Sequence, residues 1–285
     1  GNIIFNQTVN GNNDLTLKAG TGNLTFKDAT SLGNLKIENA NNVELAAITA
    51  SSITQIAGTG TTTFNGPVTT NASGGINLIG TNFAIEKQVT TQNQGTFTVN
   101  NSGNFNTAAD ANLNLDGAFT QSGTGNVNIA SNITTTNDNI TFNSPVTLTN
   151  KVFFDTGAGA GNIVFNNTVN GNNDLTLNAD TGDIIFTGAI DLRNIIANTA
   201  GKTTFNAVTA NSLTTDAGGT TQLNSSVITT GNQTYVDALT IANNPTLTGN
   251  DITFNDTVDG NSALTVNNNG NLNITKNLSL DGAFT

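Results

Sequence analysis

The chain contains no cysteine and no histidine. The first absence excludes a disulfide framework, thiol nucleophiles and a thiolate zinc site. The second removes the commonest general base, imidazole metal ligands and the usual nucleophile triads. Methionine and tryptophan are also missing, and there are only three prolines. Charge is scarce: 9% of residues are charged, eight basic against nineteen acidic, for a net charge of -11. That balance disfavours polyanions, so neither nucleic acid nor an anionic membrane surface is an expected partner. No apolar run reaches the eighteen residues a membrane-spanning helix needs. The sequence opens and closes inside a repeat and begins at Gly1 without a signal-peptide pattern, so it reads as an excerpt of a longer polypeptide.

What is abundant is asparagine and threonine, about fifty of each, with thirty glycines. Disordered chains combine low hydrophobicity with high charge, whereas here Phe, Ile, Val and Leu alternate with polar residues. The segment Gly1 to Gly22, GNIIFNQTVNGNNDLTLKAGTG, is written again at Gly161 to Gly182, GNIVFNNTVNGNNDLTLNADTG, with eighteen of twenty-two positions identical. Each copy holds two or three short strands separated by turns. A unit this small cannot bury its own apolar face, so copies must stack to build a core.

Phe5, Phe26, Leu45, Phe64, Ile85 and Phe105 recur with gaps of 19 to 21 residues. Val9, Ile48, Val68 and Val89 form a second column. Leu15/Leu17, Leu35/Ile37, Ile53/Ile56, Ile76/Leu78 and Phe97/Val99 form a third. Three columns repeating once per unit describe a coil with three faces. From Gly103 to Ala160 the strands are assignable but the coil boundaries are not. Phe165, Phe186, Phe205 and Leu223 then restart the series, and NLNLDGAFT at Asn112 to Thr120 returns as NLSLDGAFT at Asn277 to Thr285. The expected organisation is one continuous solenoid over residues 1–285, with super-repeats 1–160 and 161–285, the second incomplete. Thr229 to Gly249 reads as a less regular insert.

Helix is not expected, given the period-two alternation, the β-branched residues and Gly or Asn every eight to ten positions. Asn10-Gly11 and Asp116-Gly117 favour hairpins, but a meander gives no reason for a fixed twenty-residue advance. Coils stacked at the strand spacing of about 4.8 Å would align like residues, so corner asparagines form amide ladders and threonines hydroxyl ladders. The reading is all-β, with about twenty residues per coil and roughly fourteen coils.

Candidate chemistry is confined to carboxylates. Asp216, Asp237 and Asp256 fall about one coil apart and are placed on one corner as a possible calcium site, with Asp155 and Asp174 as a similar pair. The competing reading is that all five are solvated turn residues. Arg193 beside Asp191 is expected to be a lone surface ion pair rather than a lyase base. Gly157 to Gly161 is a corner without a helix behind it, and so no phosphate loop. Tyr235, the sole tyrosine, is expected to pack over a coil edge rather than stack on a sugar. Sequons such as Asn6-Gln7-Thr8 and Asn232-Gln233-Thr234 arise by chance in such a composition. No catalytic, cofactor-binding or metal residue is assigned, and no cofactor is implied.

The motif GNIxFNxTVNGNxxLTLxAxTG at Gly1 and Gly161, TTGNQTY at Thr229 to Tyr235 and NDITFNDTVDGNSALTVN at Asn250 to Asn267 resemble the repeat regions of filamentous-haemagglutinin-like bacterial surface adhesins, the β-strand-repeat exoproteins. The resemblance implies a right-handed parallel β-helix, secretion, and a role in attachment, aggregation, biofilm or sheath formation. The amino-terminal secretion domain of such proteins is not in this stretch. The expected function is therefore an extracellular shaft or adhesive fibre segment whose partners are like chains, end to end or side by side, or a surface or carbohydrate receptor. Two other readings compete: a carbohydrate-active enzyme on a β-helix, and an ice-binding solenoid. The latter needs regular threonine rows, and Thr61 to Thr63 and Thr134 to Thr136 do not recur in register.

Overall fold

The computed structural model describes all 285 residues. It contains 42 short strands and no helix. Successive strands are dealt in turn to three sheets, each parallel and fourteen strands wide, so every strand pairs with the strands three before and three after it. We call the sheets A, B and C, beginning with Ile3–Phe5, Val9–Asn10 and Leu15–Lys18 respectively. The molecule is a β-solenoid of about fourteen coils. Asn10-Gly11 and Asp116-Gly117 turn corners between sheets B and C and make no hairpin.

Strand alternation decides what faces the lumen. In Leu24–Phe26 and Ile163–Phe165 the outer two residues are buried and the middle one points out. Sixty-one buried hydrophobic residues form one continuous core along the axis. Because parallel, in-register coils place like residues one rung apart, phenylalanines stack. Phe142, Phe165, Phe186 and Phe205 follow one another in sheet C with centroids 5.3, 4.9 and 5.5 Å apart.

The corners are held by asparagine and aspartate. Asn2 Oδ1 accepts the Asn23 N–H at 2.9 Å, Asn23 Oδ1 that of Asn42 at 3.2 Å, and Asn42 Oδ1 that of Thr61 at 2.9 Å. The second copy repeats this from Asn139 to Asn162, Asn162 to Asp183 and Asp183 to Lys202, at 2.8, 2.7 and 2.8 Å. The side-chain oxygen reaches a backbone N–H that the turn leaves without a ladder partner. The amide ladder is present, while a threonine hydroxyl ladder is not general. Thr98 Oγ1 donates to Asn77 Oδ1 at 2.9 Å, and only Thr265 and Thr285 bring hydroxyls together, at 3.1 Å.

Three details differ from the sequence reading. Ile56 is 45% exposed, because Gln55 takes the inward place beside Leu78 and accepts the Thr62 hydroxyl at 2.7 Å. Residues Gly103 to Ala160 and Thr229 to Gly249 are regular coils, their apparent irregularity being variation in corner length. Ladder partners lie 18 residues apart at Ile190 and Val208 but 24 at Val89 and Leu113.

The third difference concerns the repeated segment. Ile3–Phe5 lies in sheet A and Ile163–Phe165 in sheet C, twenty-three strands later, which is seven coils of three strands plus two. The copy is therefore carried to a different face. An inward Ile or Phe meets the same lumen from any sheet, so this sequence serves either position. The sheets pass the super-repeat boundary without a break. No helix is long and apolar enough to cross a membrane.

The adjacent pair Phe153 and Phe154 tests this alternation. Phe154 is fully buried against Phe142 and Phe165, whereas Phe153 points outward from the same strand. Phe154→Ala is expected to destabilise by about 3–5 kcal/mol and Phe153→Ala by under about 1 kcal/mol, read from urea unfolding midpoints. Equal losses would contradict the assigned faces.

Candidate functional site

Asp216, Asp237 and Asp256 do share a corner, each following a strand of sheet B. Their carboxylates diverge, however. Asp216 Oδ1 turns back to accept the Thr199 N–H at 2.9 Å. Asp256 points outward and pairs with Lys276 at 2.9 Å. Asp237 turns into the lumen. No three acidic side chains converge where they could hold a metal ion, so the three aspartates do not form the calcium corner weighed against turn residues. Asp155 and Asp174 are not a pair either: Asp155 closes the strand Val152–Asp155 beside Asn178, and Asp174 precedes the neighbouring strand Leu175–Asn178, at its opposite end.

Asp237 is 3% exposed and has no cationic partner. Its Oδ1 accepts hydroxyls from Thr215 at 2.7 Å and Thr221 at 3.0 Å. Burial pushes its carboxyl above the usual range; the two hydroxyls pull it back, and nearby Asp216 adds to the rise. Tyr235 is wholly buried rather than lying over a coil edge. Its ring stacks on Phe254 at 5.6 Å and its hydroxyl donates to Gln233 Oε1 at 3.0 Å, so it is closed to any ligand. Burial also pushes its phenol up. Gly157 to Gly161 forms a corner from sheet B to sheet C, pinned by Thr156 Oγ1 donating to the Gly161 carbonyl at 2.9 Å. The outward strand residues of the threonine triplets have no threonine beside them: Thr61 meets Asn82, Thr63 meets Ala84 and Glu44, and Thr134 meets Asn114 and Asp155.

Arg193 is an exposed ion pair, as expected, but with Asp174 on the preceding coil and not with Asp191. Nε and Nη2 meet the two carboxylate oxygens at 2.7 and 2.5 Å, and Asn194 Nδ2 adds a third bond at 2.7 Å. The Arg193 guanidinium holds the Asp174 carboxyl below the usual range, outweighing the opposing effect of partial burial.

Asp174 also lines a surface concavity. A depression of about 410 Å³ is lined by Asn132, Asn150, Lys151, Phe153, Asp174 and Thr176, among others. A second, of about 330 Å³, continues it along the same face through Asp174, Thr176, Asn194, Ile196, Ser212 and Thr214. The strand register makes them one grid. Phe153, Thr176, Ile196 and Thr214 occupy successive rungs of sheet B. Lys151, Asp174, Asn194 and Ser212 stand two residues earlier in the same runs, on the same outer face. One column is thus apolar with hydroxyls and the other is polar, about 6.6 Å apart. The sequence reading missed this site. Its legible signal was the Phe153-Phe154 pair, since strict alternation forces one of two adjacent phenylalanines outward.

Comparison with known proteins finds no match to a family model, a curated protein or a solved structure. The reading of function therefore rests on the chain itself.

Asp237 generates a prediction. The folded protein holds this proton more tightly than the unfolded chain, whose carboxyl titrates near about 3.9. Its contribution is complete below that value and is lost as pH rises through the raised native one. Asp174 and Asp256 act oppositely, their lowered values adding stability that falls away in acid. The difference between Asp237→Asn and the parent isolates Asp237. The variant should unfold at higher urea at pH 7, the gap closing toward pH 3. A gap that widens in acid would refute the assignment.

Proposed function

We propose that the chain is a stiff structural and adhesive segment of a large secreted bacterial surface fibre, working outside the cell in attachment, aggregation, or sheath and biofilm formation. The observation that carries this reading is the unbroken run of three fourteen-strand sheets along one axis. At about 4.8 Å per coil the rod is on the order of 65 Å long. Bending it would strain the hydrogen bonds that join each rung to the next in all three sheets. The outer surface is rich in asparagine and threonine and poor in charge, which suits hydrogen bonding to neighbouring fibres or to a receptor. The repeat motifs at Gly1 and Gly161, similar to those of filamentous-haemagglutinin-like adhesins, support the same reading. Partners are then like chains within a fibre, joined end to end or laterally, or a surface receptor.

The test uses the natural full-length protein on its producing cells. Antibody against the rod should label intact cells. Removing whole coils should shorten the fibre by about 4.8 Å per coil and reduce attachment or aggregation. Label confined to the cell interior would reject the reading. So would polysaccharide turnover by the purified chain that is abolished by Asp256→Asn, which would favour the enzyme.

A further inference from the structure

Twelve of the fifteen phenylalanines are buried in the lumen. Phe5 and Phe284 belong to the first and last coils. That leaves Phe153 as the one phenylalanine set on the outer face in mid-rod, half-buried at the floor of the larger depression. Core packing does not explain it, because Phe154 fills the inward place on the same strand.

We infer that the grid on sheet B binds a neutral oligosaccharide of two or three sugar units, lying along the rod axis with the C–H face of one ring on Phe153. A sugar ring is amphipathic, with an apolar C–H face and a rim of hydroxyls. The grid has the matching division: Phe153 and Ile196 in one column, amide and hydroxyl groups beside them. Asn132 Oδ1 accepts the Phe153 N–H at 2.9 Å, which fixes the amide and leaves its NH2 to donate to a hydroxyl. Thr176 stands on the rung between the two apolar residues. Such a combination of an apolar platform and a few fixed polar groups is the usual composition of a small-ligand site.

Charge selects the class of sugar. Around the ring, Lys151 and Arg193 are balanced by Asp174 and by Asp155, which lies two residues beyond Phe153. Asp174 is clamped by Arg193 and Asn194, and Asp155 accepts from Gly157 N–H and Asn178 Nδ2 at 2.9 and 3.1 Å. The local balance is neutral in a chain of net charge -11, which disfavours uronate or phosphate groups. A peptide adding as a strand finds no free edge, because every strand of the grid is paired on both sides.

The inference deepens the adhesive half of the proposed function, and its test reads the grid alone, so it can fail while the rod reading stands. The 285-residue chain is titrated, by calorimetry and ligand-observed NMR, with trisaccharides of glucose, mannose, galactose, xylose and N-acetylglucosamine. A galacturonate trisaccharide is the charged arm. At least one neutral trisaccharide should bind. Phe153→Ala should weaken it about tenfold and Phe153→Trp should retain it. Ile228→Ala, on sheet A, should leave it unchanged. Thr176→Val, which keeps side-chain volume, should weaken it by about threefold or more and guards against a folding defect in Phe153→Ala. Three outcomes overturn the inference: no neutral binding, binding indifferent to both Phe153→Ala and Thr176→Val, or preference for galacturonate. Self-association of the chain that is lost in Phe153→Ala would also overturn it, by giving the face to a second copy.

Discussion

Each coil of this protein is bonded chiefly to the coils before and after it. Backbone N–H groups meet carbonyls one coil away, as when Ile3 N–H donates to Asn23 O and Lys27 N–H to Phe5 O. At the corners, where the sheet ladder lapses, the side-chain oxygen of asparagine or aspartate takes over. A coil of about twenty residues has too little core to persist alone, so stability is a property of neighbours. The composition follows from the same constraint. Asparagine supplies both the turn conformation and the acceptor, and stacking rewards its recurrence once per coil.

That constraint also shapes what the rod presents to its surroundings. Inward positions absorb nearly all the aromatic and aliphatic residues, and outward positions fall to threonine, asparagine and a few single charges. A departure from this division is informative. Ile196 and Phe153 lie in one outward column of sheet B, with Thr176 between them, beside a polar column anchored by the Asp174–Arg193 pair. Asp237 departs the other way, as a carboxyl in the lumen without a cationic partner, whose burial opposes ionisation. The first places apolar surface where a ligand can reach it. The second leaves a carboxyl in the core with two threonine hydroxyls as its side-chain partners.

The second copy of the leading motif moves from sheet A to sheet C because the intervening strands do not complete a whole number of coils. Nearly the same sequence is thereby shown on different sides of the rod. A partner that recognised the motif itself would meet it at two azimuths, whereas the Phe153 grid occurs on one face. In this fold a sequence repeat and a repeated surface are separate things.

Alternation and period by themselves determined the fold. Phe5, Val9 and Leu15 begin the columns that become sheets A, B and C, because a strand points every second residue the same way and a stacked coil returns after about twenty. They also determined that asparagine would line the corners. Only the tertiary structure decided which outward residues meet. That depends on register, which accumulates from corners of unequal length, and one residue gained or lost turns a side chain to the opposite face. For this reason Arg193 found Asp174 and not Asp191, Tyr235 entered the lumen, the three corner aspartates parted, and Phe153 came to lie beside Thr176.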